Sequence, residues 1–138
     1  MFGFALKLPT KDQIMVTDAK RLKQVLNNLV GNAFKFTSDG QVSLGFRAIK
    51  ENTVQIFVED TGCGIAQTHL EHIFERFYKV DSFQQGTGLG LSICETLVKN
   101  LKGRIEVISQ VNKGTRFTVV LPLYVFRDQE VLSINDRK

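Results

Sequence analysis

Two adjacent runs in which apolar residues recur at every second position most constrain the fold of this chain. Residues 41–49 carry Val42, Leu44, Phe46 and Ala48 in alternation, and residues 54–59 carry Val54, Ile56 and Val58. A period of two places one set of side chains on one face of a sheet and the intervening set on the other. Glu51-Asn52-Thr53 between the runs is short and polar, so the runs form a hairpin. Immediately upstream the period changes. Leu22, Val25, Leu26, Leu29, Val30 and Ala33 fall at helical spacing behind Thr17-Asp18, which predicts an N-cap at Asp18. A helix stripe and a sheet face this close in sequence bury each other.

The remaining segments extend that pattern. Residues 14–17 are short and apolar and read as a strand, after a leading segment (1–9) that holds Pro9. The helix ends near Phe36, before the turn Ser38-Asp39-Gly40. The hairpin runs into a glycine loop, Asp60-Thr61-Gly62-Cys63-Gly64. Thr68 is placed to cap a short helix carrying Leu70, Ile73, Phe74 and Phe77. A polar loop, 79–85, leads to Gly86-Thr87-Gly88-Leu89-Gly90, which opens a helix to about Lys102. That helix is expected to turn Leu89, Ile93, Leu97 and Leu101 inward, with Gly103 as its stop. A last hairpin joins 104–110 to 115–121 through Asn112-Lys113-Gly114, and Pro122 closes it. The order β, α, β, β, α, α, β, β predicts an α+β fold, helices on one face of a mostly antiparallel sheet. Beyond Pro122 the chain turns polar and reads as a tail or linker.

Composition narrows the function. At 138 residues and 43% hydrophobic the chain is long enough for one domain with a real core. No apolar run reaches the ~20 residues of a membrane helix, and the start, Met1-Phe2-Gly3-Phe4, lacks the features of a signal peptide. Cys63 and Cys94 do not make a disulfide framework, which fits a reducing, cytosolic setting. The net charge of +4 suits an anionic ligand, but the basic residues are scattered and give no nucleic-acid signature.

Several constellations could carry chemistry. The cluster from Gly86 to Ser92 opens a helix, where backbone N–H groups attract anions and glycine lets a phosphate come close. It fits neither the dinucleotide pattern nor a P-loop, and a plain turn is the competing reading. Asp60 ends an alternating strand, where a carboxylate can accept from an exocyclic amine or simply hold a turn. Asp-Thr-Gly also occurs in aspartic proteases, which need a second such tripeptide; this chain has one. Asn28, Asn32 and Lys35 share one flank of the first helix. An amide oxygen there can ligate Mg²⁺, and a lysine can meet phosphate as a point charge; solvated polar side chains are the alternative. His69, His72 and the two cysteines lack the spacing of a zinc site.

In combination these segments resemble a family. The run from Asn28 to Thr37 resembles the N box of sensor histidine kinases, and Asp60 to Ile65 resembles their G1 box. Ile73 to Tyr78 is similar to the F box, Gly86 to Leu91 to the G2 box, and Gly114-Thr115-Arg116-Phe117 to the closing G-T-x-F segment. Five motifs in family order cover nearly all of residues 10–122.

The resemblance implies a Bergerat-type two-layer α/β sandwich with about three helices, an ATP-binding catalytic domain over residues 10–123, and a polar tail over 124–138. It implies that Asp60 accepts from the adenine amine and that Thr115 supports a water network there. Asn32 would ligate Mg²⁺, with Asn28 nearby, and Lys35 and Lys79 would neutralise phosphate. Gly62, Gly64, Gly86, Thr87, Gly88, Leu89 and Gly90 would line the nucleotide. Phe74 and Phe77 would anchor the base of the loop that closes over ATP, and Phe83 is an exposed aromatic candidate within it. Related ATPases and serine kinases carry a glutamate base where this chain has Asn28. Asparagine cannot be a general base, so the resemblance favours transfer to histidine over hydrolysis. The family's H box is absent, which implies a fragment that acts on a histidine-bearing dimerisation domain of a parent kinase, ahead of a response regulator. The isolated domain is then expected to be a cytoplasmic monomer with no nucleic-acid or direct membrane contact. The parent is either membrane-anchored or soluble, and the tail could link to a receiver, as in hybrid kinases. A nucleotide-binding module without transfer, and an ATPase or serine kinase of the same fold, remain as alternatives.

Overall fold

A computed structural model describes residues 6–7, 18–49, 53–80 and 88–122. The elements are β1 (Leu6–Lys7), α1 (Ala19–Phe36), β2 (Val42–Ile49), β3 (Thr53–Asp60), α2 (Gln67–Leu70), α3 (Gly90–Asn100), β4 (Arg104–Gln110) and β5 (Gly114–Pro122). The sheet order is β1-β2-β3-β5-β4; β1 pairs parallel to β2 and every other pair is antiparallel. The expected strand at 14–17, residues 81–85 of the expected polar loop with Phe83, and the expected tail 124–138 lie outside the described residues.

The period-two runs form the centre of the sheet. Val42, Val54, Ile56 and Val58 are all but inaccessible, and from β5 Phe117, Val119 and Leu121 join them on the same face. Against that face lies α1. Asp18 caps it by accepting from the Arg21 N–H at 3.2 Å, as the sequence predicts, and the helix closes at Thr37. Its stripe, Leu22, Val25, Leu29 and Ala33, is buried in the core cluster. α3 packs beside it and completes the helical layer.

Two expectations need correction. In α3 the fully buried residues are Cys94 and Val98, while Ile93 is exposed. A strict four-residue repeat advances roughly 400° per step, so it drifts about 40° around the helix each time. The inward face therefore follows Leu91, Cys94, Leu97, Val98 and Leu101, so Leu97 and Leu101 pack on the core as expected and Ile93 does not. The second correction concerns α2, which is a single turn. Ala66 stands at its N-cap, Thr68 caps nothing, and α2 itself contains no buried residue. The chain continues through turns in which His72 N–H donates to His69 O and Glu75 N–H to His72 O, each at 2.9 Å. Three residues per turn bring Leu70 and Ile73 to the core. Phe77, at φ +66°, is left 68% exposed, so it does not anchor by burial. Phe74 does, edge-on to Phe117 at 6.3 Å.

Candidate functional site

Strand register builds one end of the site. Asp60 on β3 stands opposite Thr115 on β5, and Thr115 stands opposite Ser109 on β4. Thr115 and Ser109 are linked by a 2.7 Å hydrogen bond between their hydroxyls. The Ser109 hydroxyl also lies 3.0 Å from Gly114 O, to which it can donate, and accepts from the Ile65 N–H at 2.7 Å. Asp60 is 6% exposed. Burial pushes its carboxyl above the ordinary value, and the backbone N–H groups of Gly62 and Thr115 pull it back. The Gly62 bond, to Asp60 Oδ1, is 2.9 Å.

The loop after Asp60 is fixed to three other elements. Thr61 N–H donates to Gln41 O at 3.0 Å and Cys63 N–H to Phe36 O at 3.1 Å. Asn112 N–H donates to Cys63 O at 2.8 Å, tying the loop to the β4–β5 turn. Gly64 sits at φ +73°, and a Cβ there would collide with the Gln110 carbonyl. Only glycine holds that backbone without strain.

Sequence reasoning missed Thr37 as an individual contributor. It is 1% exposed at the end of α1. Its Oγ1 faces the Asp60 carboxyl and favours the ionised form, yet makes no hydrogen bond of full geometry. The available signal was position: Thr37 directly follows α1, where the chain turns back toward the Asp60 loop.

A cleft opens next to this end. It is about 340 Å³ including its open mouth, and Asn32, Phe36, Ile65, Tyr78, Val80, Leu91 and Phe117 line it together with Ile73. Asp60 and Thr115 lie one pleat period beyond the Val58–Phe117 pair, on the same face and roughly 7 Å further along the strands. Apolar walls with a few polar groups at the margin suit a flat heterocycle carrying a polar edge.

The opposite end is built from helix flanks. Asn28 and Asn32 are half-buried on α1, and Lys35 on the same flank is exposed. Asn28 touches Cys94 of α3, whose thiol burial pushes up to about 11 while the Asn28 contact opposes that shift. Lys79 is half-buried, as are Gly88, Leu89 and Gly90 at the start of α3. Its N-cap, Leu89, makes no side-chain cap bond and its first turn holds no acid, and the positive end of the helix dipole there favours an anion. Gly88 O accepts from Phe77 N–H at 2.8 Å, joining the helix start to the turns after α2. Gly86 and Thr87 lie outside the described residues. His69 Nδ1 pairs with the Tyr78 hydroxyl and His72 Nδ1 with Glu75.

Among the described residues, no helix is long and apolar enough to cross a membrane. The model of the family described as "Histidine kinase-, DNA gyrase B-, and HSP90-like ATPase" matches residues 17–125. Sensor protein SrrB of Staphylococcus aureus is 40% identical over 116 residues, which make up 81% of this chain and 20% of that protein. The chain thus spans about a fifth of the curated relatives it matches. Among solved structures, full-length ShkA in complex with AMPPNP is 34% identical with a TM-score of 0.80, over 91% of this chain and 26% of that one. The mycobacterial sensor histidine kinase MprB is 25% identical with a TM-score of 0.78, over 91% of this chain and 84% of that one.

Proposed function

The chain belongs to the histidine kinase-, DNA gyrase B- and HSP90-like ATPase family, and from that premise we propose that it is the ATP-binding catalytic domain of a sensor histidine kinase. In this reading it moves the γ-phosphoryl group of ATP to a histidine on a dimerisation domain elsewhere in the parent protein. A response regulator is the next acceptor. The observation that carries the reading is Asp60: a buried carboxylate at a strand end, one oxygen held by the Gly62 N–H, beside an apolar cleft that Asn32 borders. Its second oxygen suits an exocyclic amine on a heterocycle in that cleft.

Each of the residues singled out takes a role in this reading. Asp60 binds the base, with Gly62, Gly64 and Thr115 holding it. Asn32 would be the protein ligand for Mg²⁺, which would supply neutralisation of phosphate charge. Asn28 stands beside it, held against Cys94. Lys35 and Lys79 offset phosphate charge, and the start of α3, with Gly86, Thr87, Gly88, Leu89 and Gly90, receives the triphosphate tail. Phosphoryl transfer asks mainly for positioning and charge neutralisation. Asn28 cannot remove a proton from water, so the arrangement favours a neutral imidazole acceptor, already nucleophilic near neutral pH. We place the domain in the cytoplasm, where ATP is.

The test is transfer in trans. With Mg-ATP, the chain should phosphorylate a separately prepared histidine-bearing helical hairpin of its parent kinase, and Asn32→Ala should abolish the product. Brisk ATP hydrolysis without any acceptor would favour a hydrolase instead. Full transfer by Asn32→Ala would remove Asn32 from the metal role.

A further inference from the structure

The end of α1 meets the Asp60 loop at an unmatched hydroxyl. Among the described residues, Thr37 Oγ1 is the buried side-chain polar atom without a hydrogen bond. Leaving such a donor unpaired costs free energy, so a partner within reach is expected in the working state. Its surroundings are tight: a Cβ on Gly62 would lie 2.7 Å from Thr37 Oγ1, and the Gly62 N–H already holds Asp60 Oδ1. The acceptor that Thr37 faces is the Asp60 carboxyl.

Thr115, the other threonine beside Asp60, has a committed proton. Ser109 Oγ donates to Gly114 O and accepts from Ile65 N–H. Its remaining lone pair then takes the Thr115 proton across their 2.7 Å contact. Every group in that set is satisfied this way, and Thr37 holds the proton still to be placed.

We propose that Thr37 is a positioning residue for Asp60: its hydroxyl, already facing the carboxylate, tightens to a full hydrogen bond when nucleotide binds and fixes it as an ionised acceptor for the amine of the base. The proposal rests on the reading of Asp60 as the base-binding group. Thr37 touches no reacting atom; it acts through Asp60. Only the ionised carboxylate is purely an acceptor, so affinity for an aminopurine falls as pH drops through the Asp60 pKa. Burial pushes that pKa up, Thr37 and the Gly62 and Thr115 N–H groups restrain it, and Glu59 pushes it up further. Glu59 is the charged side chain acting on Asp60 from the described residues, and it pairs with Arg116 at 2.8 Å. Without the Thr37 donor, the acid limb of binding moves to higher pH.

The experiment is calorimetry of ATP on the full chain from about pH 5 to about pH 8, for wild type, Thr37→Val, Thr37→Ala and Thr37→Ser. Thermal melts identify which variants fold. Thr37→Val removes the hydroxyl at constant shape, and Thr37→Ala serves if the valine variant does not fold. Either should weaken ATP about tenfold at the acid end and move the limb upward by up to about one pH unit. Thr37→Ser should stay within about twofold of wild type. Inosine triphosphate, with a carbonyl in place of the amine, should bind weakly throughout, so the preference for ATP should shrink in the valine and alanine variants. A folded variant without the hydroxyl whose acid limb coincides with wild type overturns the proposal and leaves the ATP-binding reading standing. A wild-type chain that binds no ATP at any pH overturns both.

Discussion

The two ends of the cleft are made of different material. The base end is written into strand register: Asp60, Thr115 and Ser109 lie in one row across three paired strands. Their loop is tied to Gln41, Phe36 and the β4–β5 turn before any ligand arrives. The end proposed for the phosphates consists of side chains on one flank of α1 and the start of α3. Its lysine on α1 is exposed and its asparagines are half-buried. On the proposed reading, recognition of the base is built into the fold, whereas grip on the phosphates relies on side chains and a helix end outside the strand register.

The largest expected contrast is between two glycines. Gly64→Ala forces a Cβ against the Gln110 carbonyl at φ +73° and should cost about 2 kcal/mol or more in chemical denaturation. Gly90→Ala, in open space at the first residue of α3, should leave stability within about 0.5 kcal/mol. Equal losses at the two ends would break the comparison.

Asp60 gives an intermediate effect with a sign. Its folded pKa is raised above 3.8, so the native chain binds this proton more readily than the unfolded chain does. Stability is therefore lost as pH rises from the unfolded value through the folded one, and it stays lost above that window. Asp60→Asn should melt higher than wild type near neutral pH, with the advantage vanishing in acid. A lower melting temperature at neutral pH would mean that the carboxylate is stabilised in the fold.

The smallest effect is at Gly31, exposed in mid-helix on the phosphate flank with no atom near its missing Cβ. Gly31→Ala should stabilise the chain by up to about 1 kcal/mol and leave ATP affinity unchanged. Weakened binding would show that this flank lies closer to the ligand than the comparison allows.

Legibility followed the same division. The central hairpin and α1 were readable because alternation and the 3.6-residue stripe each ran for several turns or pleats, with Asp18 as a visible cap. The Asp60–Thr115 pairing was not readable from periodicity, since register joins residues 55 positions apart; the motif resemblance brought them together. Thr37 escaped because the facing of its hydroxyl and the Asp60 carboxyl joins residues 23 positions apart, which requires coordinates. Leu97 and Leu101 pack on the core as read, but Ile93 misled because four-residue spacing mimics a stripe while drifting around the helix.

The most direct measurement is calorimetric binding of ATP and ADP, with and without Mg²⁺, to the wild-type chain and to Asp60→Asn. On the proposed reading the base end governs recognition, so wild type should bind both nucleotides. Asp60→Asn should then lose at least about tenfold in affinity for each, whether or not Mg²⁺ is present. Wild-type affinity in a folded Asp60→Asn chain would contradict the account and move recognition to the phosphate end.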